Sequence, residues 1–269
     1  MLSSLNEVNF EDKVQNNPDL LFFTKDIKAT KLGHMLITAQ TGMGKTQLAL
    51  AVSAELSQKG NTIQYFLDPK HSDLSTFGKF LGKGRYADTT EGINEKLHYL
   101  VKLMKKRYAI MKKMAEVDSK RYVGKSASSY GFANIVIVFD EISAHLAADK
   151  SCLKDLKQLT MLGRQAGIFV IVIMQDPRST NNLPATIKDQ TTIKVALGEL
   201  NGTLASLVFG AGVELTQISR DVGQGFIQCD GGEVEPFDSP LMPANSSDLY
   251  KLMKQSLEDQ KKLNPLQHD

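Results

Sequence analysis

The sequence predicts an α/β fold, a mostly parallel sheet with helices on both faces. Three observations carry this. Short β-rich apolar runs recur at Met35–Ala39, Thr62–Leu67, Ile135–Phe139, Ile168–Met174 and Thr191–Leu197, with helical periodicity between them. The first run stops at a glycine-rich turn that opens an amphipathic segment. The third stops at an Asp-Glu pair, where a parallel strand would present its carboxyl end.

At 269 residues, with 42% hydrophobic and 23% charged side chains, the chain can bury a large core and reads as one large domain. Its expected span is residues 20–239, flanked by a polar, mildly acidic segment at 1–19 and a tail at 240–269 with one short helix, Ser247–Lys262. The longest apolar run, Ile168–Met174, is far short of the ~20 residues of a membrane helix. The amino terminus lacks a charged-then-apolar signal pattern, so a cytoplasmic location is expected. Cys152 and Cys229 are isolated from each other and from any metal-ligand spacing, which argues against a disulfide framework and a zinc site.

Taken in order, the stretch His34–Leu50 reads strand, turn, helix. The pattern G-x-x-x-x-G-K-[ST] needs glycines so that backbone N–H groups can wrap phosphates. It also needs a Lys for the β/γ oxygens and a hydroxyl for Mg²⁺, all at a helix amino terminus. Gly42, Gly44, Lys45 and Thr46 supply these, and Gln40, Thr41, Met43 and Gln47 complete the nucleotide-binding set. Ala39 stands where the pattern has its first glycine, so its backbone must avoid the angles reserved for glycine.

The run Ile135–Glu141 supplies the second half of such a site. Asp140 is placed to hold the Mg²⁺ shell, and Glu141 to orient and deprotonate water. A carboxylate pair here favours ATP hydrolysis over phosphoryl transfer to a small molecule. One strand later Gln175 is placed to sense the γ-phosphate.

Between Ile93 and Met111 the residues Ile93, Leu97, Leu100, Met104, Tyr108 and Met111 form one helical stripe, with Lys102, Lys105, Lys106, Lys112 and Lys113 off it. Net charge is only +2, yet Lys102 to Lys125 holds nine Lys/Arg against two acidic residues. That run reads mainly as the solvated side of the helix. A further set of lysines, Lys150, Lys154 and Lys157, stands at i, i+4 and i+7 after the Asp-Glu pair.

Further motifs lie in the order of a known family. Lys25–Ile27 (KDI) precedes the phosphate-loop strand and Asp68–Lys70 (DPK) follows the second strand. Leu97–Met111 is similar to the family helix L-x-x-x-V-x-x-M-x-x-R-Y-x-x-M, Gly163–Pro177 to its R-A-A-G-I-to-T-Q-R-P segment, and Gly223–Gln228 to its G-x-G-D-M-L strand. From about residue 20 to 240 the chain thus resembles the motor of the FtsK/SpoIIIE DNA translocases.

The resemblance implies a P-loop, RecA-like (ASCE) core that forms a homo-hexameric ring. Such a ring threads double-stranded DNA and advances it by hydrolysing Mg²⁺-ATP between neighbouring subunits. The family's DNA contacts come from loops beyond the carboxyl side of the sheet, which makes Lys150, Lys154 and Lys157 the alternative DNA-binding set, with backbone contacts that would be independent of sequence. Two departures matter. The family's Gln-Arg-Pro reads Gln175-Asp176-Pro177, and its Asp-Ser-Arg after the fifth strand reads Asn201-Gly202-Thr203. An arginine reaching a neighbour's γ-phosphate must then be Arg164, Arg178 or Arg220, of which Arg164 is favoured.

Membrane segments, a long linker and a winged-helix reader are not seen. The resemblance therefore points to the compact type found in plasmids and integrative elements, with relaxase or secretion-channel proteins as partners and any membrane attachment supplied by one of them. The alternatives are a viral-type genome-packaging ATPase and a nucleotide-gated DNA or secretion-channel adaptor with little turnover.

Overall fold

Runs that are apolar at almost every position form strands buried on both faces. The computed structural model describes residues 21–23, 27–81, 84–175, 183–213, 215, 221–240, 254 and 258–266. Residues 1–19, Lys25, Asp26, Asp176, Pro177, Arg178, Arg220 and most of the expected tail helix lie outside them.

Two short strands, β1 (Leu21–Phe22) and β2 (Lys28–Ala29), pair antiparallel ahead of β3 (His34–Ala39). Then come α1 (Lys45–Gln58), β4 (Thr62–Leu67), α2 (Asp73–Leu81), β5 (Tyr86–Ala87), α3 (Thr90–Val117) and α4 (Ser119–Tyr122). They are followed by β6 (Asn134–Phe139), α5 (Ile142–Ala148), α6 (Leu153–Leu162) and β7 (Ile168–Met174). The described elements end with α7 (Ala185–Lys188), β8 (Thr191–Leu197), α8 (Gly202–Phe209), β9 (Gln224–Cys229) and β10 (Val234–Asp238).

The eight-stranded sheet has the order β10-β9-β8-β3-β7-β6-β4-β5. Its six strands from β8 to β5 are parallel, and β9 and β10 extend it antiparallel at one edge. Pro236 is tolerated because β10 is an edge strand.

Strand alternation divides the core into two layers. Met35, Ile37, Phe66, Val136 and Ile171 face α1 and α2 through Leu48, Val52, Leu56 and Phe77. Leu36, Leu67, Ile137, Phe139 and Val170 face the other layer, through Leu97, Leu100 and Met104 of α3 and Leu156 and Leu159 of α6. The predicted stripe therefore lies on a helix of 28 residues, started by the Thr89 hydroxyl accepting the Gly92 N–H at 3.1 Å. Lys102, Lys105, Lys106, Lys112 and Lys113 are exposed, as expected of a solvated face.

Arg107 departs from that reading. It counts among the nine cations of the basic run, yet it is fully buried. Its guanidinium donates to the carbonyls of Ala133, Ala166 and Pro265 at 2.7–3.0 Å, and it lies 4.9 Å from the Phe132 ring centroid. Burial pulls its pKa down to about 10, so it stays charged at neutral pH. Arg107 is a structural tie between α3, the start of β6, the turn before β7 and the tail.

The described tail is docked rather than standing off the body. Gln260 is buried, its Oε1 accepting the β4 Gln64 N–H at 3.0 Å and its Nε2 donating to Ser57 Oγ at 2.8 Å. Arg85 holds the same segment through the Leu263 carbonyl at 2.9 Å. The Gln260 bond caps a β4 amide at a level where the two-residue β5 gives no partner.

Candidate nucleotide site

Parallel strands share one carboxyl edge, and the phosphate loop and the Asp-Glu pair both fall on it. β7 lies between β3 and β6, so Gln175, just past β7, sits between the two motifs. It lines a cavity of about 310 Å³ with Thr38, Ala39, Gln40 and Thr41.

The loop from Gln40 to Gly44 turns through left-handed backbone at Gly42 (φ 83°) and Gly44 (φ 91°). A Cβ on Gly42 would meet nothing within 4 Å, so that side of the loop is open. Ala39 is the last residue of β3, paired with Leu197, and is not among the residues with positive φ. Extended backbone at this position explains why alanine serves where the motif has glycine.

α1 starts at Lys45 without a side-chain cap, and its first intrahelical bond is Leu48 N–H to the Gly44 carbonyl at 3.0 Å. The earlier amides of that turn have no intrahelical acceptor. From behind, Gly223 supports the loop by donating its N–H to the Met43 carbonyl at 3.2 Å. A Cβ on Gly198 would come within 3.0 Å of Met43.

Lys45 is only 8% exposed and makes no ion pair with a described residue. An ammonium in that position fits an anion. Opposite it, β4 and β6 end side by side in Asp68, Asp140 and Glu141, all buried. Burial pushes the Asp140 carboxyl above the usual carboxylate range, and Asp68 and Glu141 push the same way, against the Ser72 hydroxyl and Lys45. A cation would relieve that crowding. Among the described residues no group of three or more His, Cys, Asp or Glu could hold a metal by itself. Mg²⁺ commonly takes one or two protein ligands and completes its shell with phosphate and water. Thr46, half-buried in the first turn of α1, and Asp140 are the residues that could hold such an ion.

Asp68 and Lys70, quoted above only as part of a resemblance, belong to this constellation. Asp68 accepts the Lys70 N–H at 3.2 Å and the Ser72 hydroxyl at 3.0 Å, and Lys70 Nζ lies 3.6 Å from Glu141 Oε2.

Arg164 is not brought to this edge. Arg164 is exposed in the turn before β7, at the opposite edge, beside a cavity of about 720 Å³ shared with Lys31 and Lys125. With seven residues of β7 between them, Arg164 and Gln175 are roughly 20 Å apart. Lys150, Lys154 and Lys157 are exposed, in the α5–α6 loop and along α6. That loop is anchored, because Asn94 donates to Asp149 at 2.5 Å and to Ser151 at 3.0 Å.

No protein-family model matches the chain. It is 31% identical over 245 residues to the FtsK domain-containing protein YdcQ of Bacillus subtilis (strain 168), across 88% of this chain and 49% of YdcQ. The chain thus spans about half the length of that curated relative. The fold is shared with the pCW3 conjugation coupling protein TcpA, solved as a monomer form with ATPγS. That match has a TM-score of 0.69 at 18% identity, over 87% of this chain and 69% of TcpA. It is also shared with ATPases 2 and 3 of EssC from Geobacillus thermodenitrificans, with a TM-score of 0.64 at 14% identity, over 86% of this chain and 44% of that one. Both likenesses show the fold alone; the identity to YdcQ, together with the RecA-like strand order and the two motifs on one edge, shows that the chain belongs to the FtsK-domain family.

Proposed function

We propose that the chain is an ATP-driven translocase of double-stranded DNA, with residues 20–239 as its motor, acting in transfer or processing of a plasmid or integrative element. One observation carries the reading: an uncapped glycine loop with a buried Lys45, in no ion pair among the described residues, faces Asp140 and Glu141 across a single strand. Fold similarity to a conjugation coupling protein supports the choice of process.

In this reading the backbone from Gln40 to Gln47 cradles phosphate, Lys45 binds the β and γ oxygens, and Thr46 and Asp140 hold Mg²⁺. The ion neutralises charge on the transferred phosphoryl group. Glu141 orients water and takes its proton, while Gln175 reports on the γ-phosphate from the neighbouring strand. No described helix is long and apolar enough to cross a membrane, and a partner such as a relaxase or channel protein supplies any recruitment there.

The ring follows from Arg164, which acts in trans as the arginine supplied to a neighbour's nucleotide. Since it lies at the opposite edge from its own P-loop, only a second subunit can present a nucleotide to it. Activity per subunit is therefore expected to rise with protein concentration, and Arg164→Ala subunits to suppress wild-type activity in mixtures more than their share predicts. Suppression in simple proportion would show that Arg164 serves no neighbour.

DNA is gripped by its backbone through Lys150, Lys154 and Lys157. Duplex of any sequence should stimulate hydrolysis, and stimulation should fall steeply as salt rises because counterion release drives the contact. Alanine at all three positions is expected to abolish stimulation and spare basal turnover. Alanine at Lys105, Lys106, Lys112 and Lys113 should do less. The measurement is initial ATPase rate against duplex concentration at two salt levels. An oligomer that no duplex stimulates would be an adaptor and not a motor.

A further inference from the structure

We propose that Lys70 is a positioning residue that holds Glu141 in a resting, ion-paired state and must release it for turnover. The inference rests on Glu141 being the base, and names a control on that same site. The Lys70 ammonium lies 3.6 Å from Glu141 Oε2 as an ion pair, with Lys70's side chain 48% exposed and Glu141's 6%. While the pair is made, the Glu141 carboxylate is held toward Lys70, and it must leave that position to take a proton from a water at the γ-phosphate. Because one partner is rooted in the interior and the other reaches in from solvent, Lys70 is the partner able to leave.

The backbone on both sides supports a loaded arrangement. Among the described residues only three non-glycine residues have positive φ, and two flank this pair: Glu141 itself (φ 44°) and His71 (φ 54°). Left-handed backbone at such residues persists only where surrounding contacts impose it. Here those contacts are visible. Asp68 anchors the turn by accepting from Lys70 N–H, Ser72 Oγ and Ser75 Oγ at 3.2, 3.0 and 2.5 Å. His71 Nδ1 lies 3.3 Å from Asp88 Oδ2, and the Tyr86 hydroxyl links Asp88 to Ser75 at 3.0 and 2.8 Å. The turn between β4 and α2 is thus tied to β5 and α2 while it presents Lys70 to the end of β6. A movement of that turn, or a competing anion near Lys70, would free the Glu141 carboxylate without moving the P-loop.

The test compares wild type, Lys70→Ala, Lys70→Arg, Glu141→Gln and the double variant Lys70→Ala/Glu141→Gln. DNA-free kcat and KM for ATP are measured, together with nucleotide-free thermal midpoints. Lys70→Ala is expected to raise kcat roughly three- to tenfold with KM little changed, the scale set by losing one partly exposed ion pair. Lys70→Arg, which restores a cation, should bring kcat back toward wild type. The double variant should be as inactive as Glu141→Gln, and its midpoint should fall by less than the sum of the two single changes. If kcat of Lys70→Ala is at or below wild type while Glu141→Gln is inactive, the hold is overturned and the base assignment survives. Wild-type turnover in Glu141→Gln would overturn the base assignment itself. Additive midpoints would remove the ion pair on which the inference stands.

Discussion

Glu141→Gln is expected to bind ATP about as well as wild type and to hydrolyse it roughly 100-fold or more slowly, the usual worth of a general base. Glutamine keeps the size of the side chain and a carbonyl oxygen, but it cannot take a proton from water. The P-loop, Lys45 and Asp140 lie on other residues and stay as they are, so the loss falls on kcat. Lys45→Ala behaves differently, because it removes the buried ammonium from the phosphate cradle and should weaken binding as well as turnover. Equilibrium binding of a non-hydrolysable analogue beside steady-state kcat separates the two. Wild-type turnover in Glu141→Gln would assign the base elsewhere.

Arg107→Ala is expected to destabilise the fold by about 3–5 kcal/mol, without any contact to the nucleotide edge. The side chain has no exposed surface, and its removal orphans carbonyls of Ala133, Ala166 and Pro265 while leaving a cavity beside Phe132. In a domain of this size each kcal/mol moves the melting midpoint by about 2–4 °C, so a fall of order 10 °C should be seen. Arg107→Lys should recover only part of it, since one ammonium cannot span carbonyls from three separate segments. A midpoint within 2 °C or so of wild type would mean that Arg107 contributes little net stability.

Arg107 also marks where sequence reading stops. Its neighbours Leu97, Leu100 and Met104 announce their burial by spacing, whereas Arg107 sits in a run of exposed cations. Its partners come from segments 26 to 158 residues away, and no local pattern carries that information. The same holds for Gln260, whose bonds to Gln64 and Ser57 span 196 and 203 residues. By contrast the five apolar runs became strands with boundaries within one residue, His34 and Asn134 being the added starts. Buried parallel strands are specified by composition over six or seven consecutive positions, which a single chain displays openly.

The site divides in the same way. The P-loop is legible because its chemistry is contiguous from Gln40 to Gln47, and the strand order then brings Asp140, Glu141 and Gln175 to it. The Lys70–Glu141 contact was not legible, since it joins ends of two strands 71 positions apart in the chain. The placement of Arg164 at the amino end of β7, by contrast, follows from the run Ile168–Met174 that it precedes.

The central claim is that ATP turnover moves the protein along duplex DNA. It is tested by the time needed to displace a third strand bound to one end of a duplex, measured against the length of duplex between loading site and third strand. A translocase gives ATP-dependent displacement with a lag that lengthens in proportion to that distance, and Glu141→Gln gives none. Hydrolysis that duplex stimulates, with displacement no faster than in Glu141→Gln at every distance, would contradict the claim.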